Sequence, residues 1–495
     1  MLKDAVVVII TTGSTGKRFV YERMAELGVR TFIIDGPDSW AQVLEDEGVI
    51  ERFVPVDMTD ASCTFDLCRD AIEALMGELG VEVDAVSTYC EIAVPLVARL
   101  AESFGLPGNP SAAVDAARDK HATRVAIQNA RLPSIRNVML PSPEELVNIP
   151  AEAAVSAAAQ RRFASSMSAA DLHEDRLHAA GADVGYPLVM KPVSGAASIG
   201  VLKVEHEADL TASYLKVMAD MLRAKVNAGA LILNEEEAAE DDDEGARDWP
   251  SIMLEEYLDG DEVDVDVILS GGSPVYSAVS DNWPCEEPWF NETGDNAPTL
   301  LGDELDAELQ RVAVASCHAL GLTTGVFHVE LKATSRGPRL IEVNCRMGGG
   351  PVRDINLQVN GVDLVEEHLF ASAGIPCNPP FRTLCDSDAA ARMEPGARAP
   401  LDCVAGYTVN APKTGVVVEG AAEVISRMSG VGYVLSAEVF VGAGDRVVSK
   451  ADGLPTWMGE VRVRGDTAQE ALERAELMRE EILAEIGAFI SSREA

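Results

Sequence analysis

About two thirds of the way along the chain, the stretch GVFHVELKATSRGPRLIEVNCRMGGGPVRD (residues 325–354) carries charge where a buried strand would carry apolar side chains. Strand residues two apart share a face, so Glu342, Asn344 and Arg346 point one way and Val343 and Cys345 the other. A short turn around Gly337 lays this strand beside the preceding one, on which Glu330 follows His328 by two. Glu330, Glu342 and Asn344 can then converge as three oxygen ligands. A partial shell of hard oxygen donors suits Mg²⁺, with phosphate oxygens completing the coordination. Arg346 at the strand's end is placed to hold a phosphoryl group in transfer, its planar fork stabilising charge as it shifts. Gly348, Gly349 and Gly350 let backbone amides approach an anion closely. A salt-bridged hairpin without a ligand is the weaker account, because the polar groups lie in register against an apolar opposite face.

Two further stretches fit a nucleotide. In VMKPVSGAASIG a strand lysine, Lys191, precedes a small-residue loop whose amides and hydroxyls, from Ser194 to Ser198, can wrap phosphate oxygens. In LEEYLDGDE an apolar strand ends in acids and bends, so Glu255 and backbone groups can meet an adenine edge and Glu262 the ribose hydroxyls. Taken singly, each is also an ordinary exposed turn.

The elements that position these groups follow from periodicity. The opening segment alternates apolar runs with helical patterns: AVVVIITTG, a helix from about Lys17 to Leu27, RTFIIDG, RFVPVD, a long helix near 62–79, then VDAVSTYCE. Strands separated by helix-length connections predict a parallel sheet covered on both faces. Nucleotide fingerprints fail there: GSTGK has Thr11 in place of a phosphate loop's first glycine and Arg18 in place of its hydroxyl residue, and only Gly13 and Gly16 of a GxGxxG are present, although Asp35 ends the second strand as a dinucleotide-binding acid would. A plain structural turn is the expectation. Asn109-Pro110 opens one helix, and a second carrying Asp119 and Lys120 runs to about Asn129. Residues 141–183 are Ala/Ser-rich and weakly patterned and read as a helical or partly mobile insertion, and a second insertion near 234–249 carries eight acids between residues 235 and 244, a solvated loop by its composition. The last 120 or so residues alternate Gly-rich turns with Val-rich strands and end in an amphipathic helix over about 467–490.

At 495 residues the chain predicts about three packed units. Its 81 acidic residues outnumber 40 basic ones, for a net charge of −41. Such a field excludes nucleic acid and anionic membrane as partners, so any phosphate must be held by local cations. No apolar run approaches the ~18 residues of a membrane span, and the short apolar stretch after Met1 reads as a first strand rather than a leader; the expected location is the cytoplasm. Nine cysteines without a CxxC pair predict reduced thiols and no zinc site.

In order, these motifs resemble the ATP-grasp superfamily of ligases. The resemblance implies a mixed α/β and α+β architecture in three parts: a biotin-carboxylase-like parallel α/β domain (1–108), a two-lobed ATP-grasp core (109–375) and a β-rich C-terminal lid (376–495). It implies that Lys120 and Lys191 bind phosphates, that Ser194 and Ser198 lie in the phosphate loop, and that Glu255, Glu256 and Leu258 form the adenine hinge, with Glu262 on the ribose. It implies that Glu330, Glu342 and Asn344 hold magnesium or manganese, two ions in all, and that Arg346 and Lys191 are the catalytic cations. Departures exist: Ala196 and Ala197 stand where some members carry hydroxyls or charge.

Within that superfamily, the NCRMGGGPVRD ending followed by NGVDLVEEHLFASAG is similar to carnosine synthases and bacterial L-amino-acid ligases; the glutamine-rich continuation of biotin carboxylases is absent. The implied reaction is ATP-dependent amide formation between two amino-acid-like substrates through an acyl phosphate. Arg346, Arg353, Gly348 and Gly349 would then face a substrate carboxylate and Glu91 a substrate ammonium, with His328 tuning the site; for Arg353 and Glu91 the alternative is an interdomain ion pair, and for His328 a place on the strand's polar face. A carboxylating or nucleotide-biosynthetic ligase and a non-catalytic ATP binder are the competing functions. Family habit implies a homodimer.

Overall fold

The computed structural model describes residues 1–149, 157–195, 198–227, 230–233, 249–379 and 400–491. The acidic run at 235–244 lies outside these residues, as do Ala196 and Ala197.

The chain opens with β1 (Val6–Ile10), α1 (Arg18–Glu26), β2 (Arg30–Asp35), α2 (Val43–Asp46), β3 (Arg52–Pro55), α3 (Thr64–Leu79), β4 (Ala85–Ser87) and α4 (Val94–Phe104). The four strands form one parallel sheet in the order β3-β2-β1-β4. β1 is buried along its whole length because helices cover both faces, which is why its sequence is unbroken VVVII. Asp35 does not await a ribose. Its carboxylate accepts from the Thr12 amide (3.0 Å), the Thr12 hydroxyl (2.6 Å), Ser39 (2.9 Å) and the Gly36 amide (2.8 Å), so it locks the turn after β1.

Two short helices follow, α5 (Ser111–Arg118) and α6 (Lys120–Asn129), with Asp119 between them as the cap of α6, accepting from the Ala122 amide at 2.8 Å. The small lobe then comprises β5 (Asn137–Met139), α7 (Pro143–Leu146), α8 (Ala157–Ser166), α9 (Glu174–Val184), β6 (Leu188–Pro192), β7 (Leu202–Val204), α10 (Leu210–Arg223), the ribbon β8 (Ala224–Asn227) and β9 (Ala230–Leu233), and β10 (Ile252–Glu256). Its antiparallel sheet runs β5-β10-β6-β7.

The large lobe holds β11 (Asp261–Ser270), β12 (Ser273–Asn282), β13 (Gly294–Ala297), α11 (Asp303–Ala319), β14 (Gly325–Thr334), β15 (Gly337–Asn344), α12 (Val352–Ile355) and α13 (Leu364–Ser372). The remainder supplies β16 (Cys403–Asn410), β17 (Gly415–Val417), α14 (Ala421–Ser426), β18 (Val434–Val439), β19 (Arg446–Val447), β20 (Trp457–Gly465), α15 (Ala468–Ile486) and β21 (Ile490–Ser491). One eight-stranded sheet, β15-β14-β11-β12-β13-β16-β20-β18, crosses from the core into the C-terminal part. The expected boundary at 376 therefore falls between segments that share a sheet. The last helix stops at Ile486 rather than near 490, because Gly487–Phe489 tightens into a 3₁₀ turn and Ile490 pairs with β17.

Strand alternation divides the large lobe into an apolar and a polar side. Val263, Val265, Val267, Val329, Leu331 and Val343 pack with α5, α6 and α11 in one core, and the intervening residues of β11, β14 and β15 face the cleft. Among the described residues no helix is long and apolar enough to cross a membrane, and the eight described cysteines are free thiols.

Candidate active site

The β14–β15 register pairs His328 with Asn344, Val329 with Val343 and Glu330 with Glu342, before a bulge after Glu330. The two carboxylates thus lie directly opposite each other, and the Asn344 amide donates to Glu330 Oε1 at 3.1 Å. On the other flank β11 sets Asp264 opposite Glu330 and Asp266 opposite His328. Burial, then Glu342 and then Asp264 push the Glu330 carboxyl up to about 8. Glu342 is held below the usual carboxylate range: burial opposes this, and Lys120, whose ammonium is 3.0 Å away, overrides it. Among the described residues no three His, Cys, Asp or Glu side chains form a ready metal cage. The set is instead two facing carboxylates and an amide, an excess of negative charge that a divalent cation with phosphate ligands fits.

The cleft's opposite wall is cationic. Lys191 on β6 lies 2.5 Å from Glu255 on β10, and Arg124 on α6 grips the same carboxylate at 2.6 and 3.2 Å while donating to the Ile341 carbonyl at 2.7 Å. Burial would raise Glu255, but Arg124 and Lys191 hold it at about 2. Its carboxylate is thus committed to two cations rather than to an adenine edge, which leaves the backbone of the hinge for that role. Glu256 binds Arg136 (3.1 Å) and Arg336 (2.9 Å); Leu258 is buried. Glu262, at the start of β11, is pushed up to about 7 by burial, against the opposing pull of Lys332. Ser194 is exposed and Ser198 sits at φ +55°, at the two ends of the loop that follows Lys191.

At the N-terminal side Arg346 lies 2.5 Å from Glu91, whose other oxygen accepts from Arg118 at 2.8 Å. Glu91 therefore meets two arginines instead of standing free for an ammonium. Arg353 is not brought to the site either: it holds Asp363 through two 2.9 Å bonds and lies over the Phe19 ring, while Arg23 of α1 reaches the same carboxylate at 2.9 Å. That joint fastens the N-terminal domain to the core. His328 donates to Asp266 at 2.9 Å and faces Asp264 at 3.6 Å; burial disfavours its charge, but the two aspartates raise it to about 10. A Cβ on Gly348 would lie 2.7 Å from the His328 ring, so the loop needs glycine to close over it, whereas Gly349 is exposed with open space around it.

Four residues that contribute here escape motif reading: Arg118, Arg124, Asp264 and Asp266. Arg124 lies one helical turn beyond Lys120, and Asp264 and Asp266 continue the alternation begun by Glu262; those periodicities were the available signals.

Known proteins resemble this chain in sequence and in fold. Residues 21–108 match the ATP-grasp N-terminal domain and residues 184–354 the ATP-grasp domain. The chain belongs to the ATP-grasp superfamily and has its fold. It is 32% identical over 378 residues to carnosine synthase 1 of Gallus gallus, a match covering 76% of this chain and 36% of that one. It is 26% identical over 306 residues to alanine–anticapsin ligase of Bacillus subtilis, covering 60% and 56%. The chain thus spans well under half the length of the carnosine synthases it matches. Among solved structures, the L-amino acid ligase of Bacillus licheniformis superposes with a TM-score of 0.68 at 18% identity, covering 97% of this chain and 98% of that one.

Proposed function

We propose that this chain is an ATP-dependent, ADP-forming ligase that joins the carboxylate of one amino-acid-like substrate to the amine of another through an acyl phosphate. The observation that carries it is the division of the cleft: facing acids Glu330 and Glu342 on one side, with the charges of Lys120 on α6 and Lys191 on β6 converging on Glu342. Similarity to carnosine synthase 1 and to alanine–anticapsin ligase, the latter named for ligating an amino acid, supports the substrate class.

Glu330, Glu342 and Asn344 would hold a divalent ion, which when bound neutralises phosphate charge and orients the terminal phosphate. Lys120 and Lys191 would bind phosphate oxygens, and Arg346 would stabilise the charge that builds on the transferring group. The hinge from Glu255 to Leu258 takes the base and Glu262 the ribose. The protein's part is positioning and charge neutralisation, with closure of the small lobe excluding water so that the mixed anhydride meets an amine instead. No nucleophilic side chain is required.

The test is ADP release from ATP and Mg²⁺ with pairs drawn from the protein amino acids and β-alanine, with products read by mass spectrometry. Amino-acid-dependent ADP release with a dipeptide mass is expected. Bicarbonate-dependent turnover, or nucleotide binding without turnover, would overturn the proposal.

A further inference from the structure

Where the N-terminal domain meets the core, three cations gather around one carboxylate. Arg118 and Arg346 take the two oxygens of Glu91 at 2.8 and 2.5 Å. The third is Lys17, from the turn before α1. Its stem folds over Gly13, where a Cβ would lie 3.2 Å from Lys17 Cδ, and its ammonium donates to the carbonyl of Tyr89, two residues before Glu91. Burial and then the nearby Arg346 charge bring Lys17 down to about 8. Among the described residues it forms no ion pair, in a chain whose net charge is −41.

Glu91 offsets only part of this positive charge. Buried like charges are unfavourable without a counter-ion, so the cluster mirrors the acid excess at Glu330 and Glu342. Each arginine is further fixed by a carbonyl, Arg118 by Gly195 at 3.1 Å and Arg346 by Met347 at 2.8 Å. The phosphate end of the cleft already has Lys120 and Lys191. Lys17 comes from the other domain, and the charges that act on it are those of Arg346 and Glu91 rather than of the two phosphate lysines.

We propose that Lys17, beside Arg346, binds the free carboxylate of the amino acid whose amine attacks, and so selects acceptors that carry one. This rests on the ligase function proposed above. The product then keeps that carboxylate, as a dipeptide with a free C-terminus, and the site discriminates against the acceptor's carboxamide.

The experiment compares kcat/KM for the working acceptor as free acid and as its carboxamide, in wild type, Lys17→Met, Lys17→Gln and Lys17→Arg. Wild type is expected to prefer the acid by about 10- to 100-fold, the worth of a charge-assisted hydrogen bond. Lys17→Met keeps the stem over Gly13 and should bring the preference near parity with the KM for ATP unchanged. Lys17→Gln removes the charge while keeping a donor for the Tyr89 carbonyl and should do the same, so the result does not depend on one variant folding. Lys17→Arg should restore the preference. An acid preference that survives in both neutral variants overturns the role of Lys17 while leaving the ligase intact. Absence of amino-acid-dependent ADP release in wild type overturns the ligase itself, and this inference with it.

Discussion

Two buried carboxylates in the same cleft are treated in opposite ways. Glu255 is surrounded by Arg124 and Lys191 and held at about 2, whereas Glu330 faces Glu342 and Asp264 and is driven up to about 8. The first is an internally neutralised strut. The second is left short of positive charge, since the Lys120 ammonium goes to Glu342 across from it. A fold gains nothing from burying like charges, so the contrast marks where a cation is to arrive from outside and where the chain supplies its own.

The largest effect that contrast predicts is on turnover. Glu342→Gln should lower kcat/KM by at least about 10³-fold, several kcal/mol of lost charge stabilisation, while circular dichroism and the melting temperature show a folded protein. Normal turnover in that variant would remove the metal assignment. Next comes stability. Glu255→Gln leaves Arg124 and Lys191 buried without their acid and should destabilise by about 3–5 kcal/mol in denaturant titrations, whereas Glu330→Gln without Mg²⁺ should leave stability at pH 7 nearly unchanged, because a carboxyl raised to about 8 is already neutral there. Equal losses in both would erase the distinction. The sign with pH follows for Glu255: its folded pKa is depressed, so its contribution is complete above the unfolded carboxylate pKa of about 4.3 and disappears as pH falls toward about 2.

A smaller, linked effect concerns protons. Without metal, Glu330 is protonated below about 8, and a ligating carboxylate must be ionised, so Mg²⁺ binding should release a proton and tighten as pH rises from 6 to 8. Calorimetry in buffers of different ionisation enthalpy reads this directly; no proton release at pH 7 would contradict the shift. The smallest effect belongs to Arg353. Since it joins Asp363 at the domain junction rather than facing the cleft, Arg353→Gln should cost about 1–2 kcal/mol of stability and leave kcat within about two-fold, the opposite of a residue that grips substrate.

Strand period together with the short turn around Gly337 placed Glu330, Glu342 and Asn344 on one face, and the register pairs Glu330 with Glu342 because that turn leaves the hairpin little freedom. The parallel N-terminal sheet was equally readable, since strands buried on both faces must be continuously apolar. What periodicity does not convey is which faces meet across long separations. Arg353 beside the motif and Glu91 after β4 are both polar residues, and only the packing of α1 against α13 and of Arg118 against Glu91 decides that they are bound within the protein. The Glu255 carboxylate is the same case: its strand position was evident, but its partners come from α6 and β6. The shared eight-stranded sheet was hidden for a related reason, because β13 and β16 are separated by more than a hundred residues and pair only in three dimensions.

The most direct measurement is an anomalous-scattering crystal structure of the chain with Mn²⁺ and ADP. A manganese peak bonded to carboxylate oxygens of both Glu330 and Glu342 and to a phosphate oxygen of the nucleotide is expected, with Lys120 and Lys191 on the phosphates. Manganese bound elsewhere, with those two carboxylates still facing each other unligated, would contradict the metal assignment.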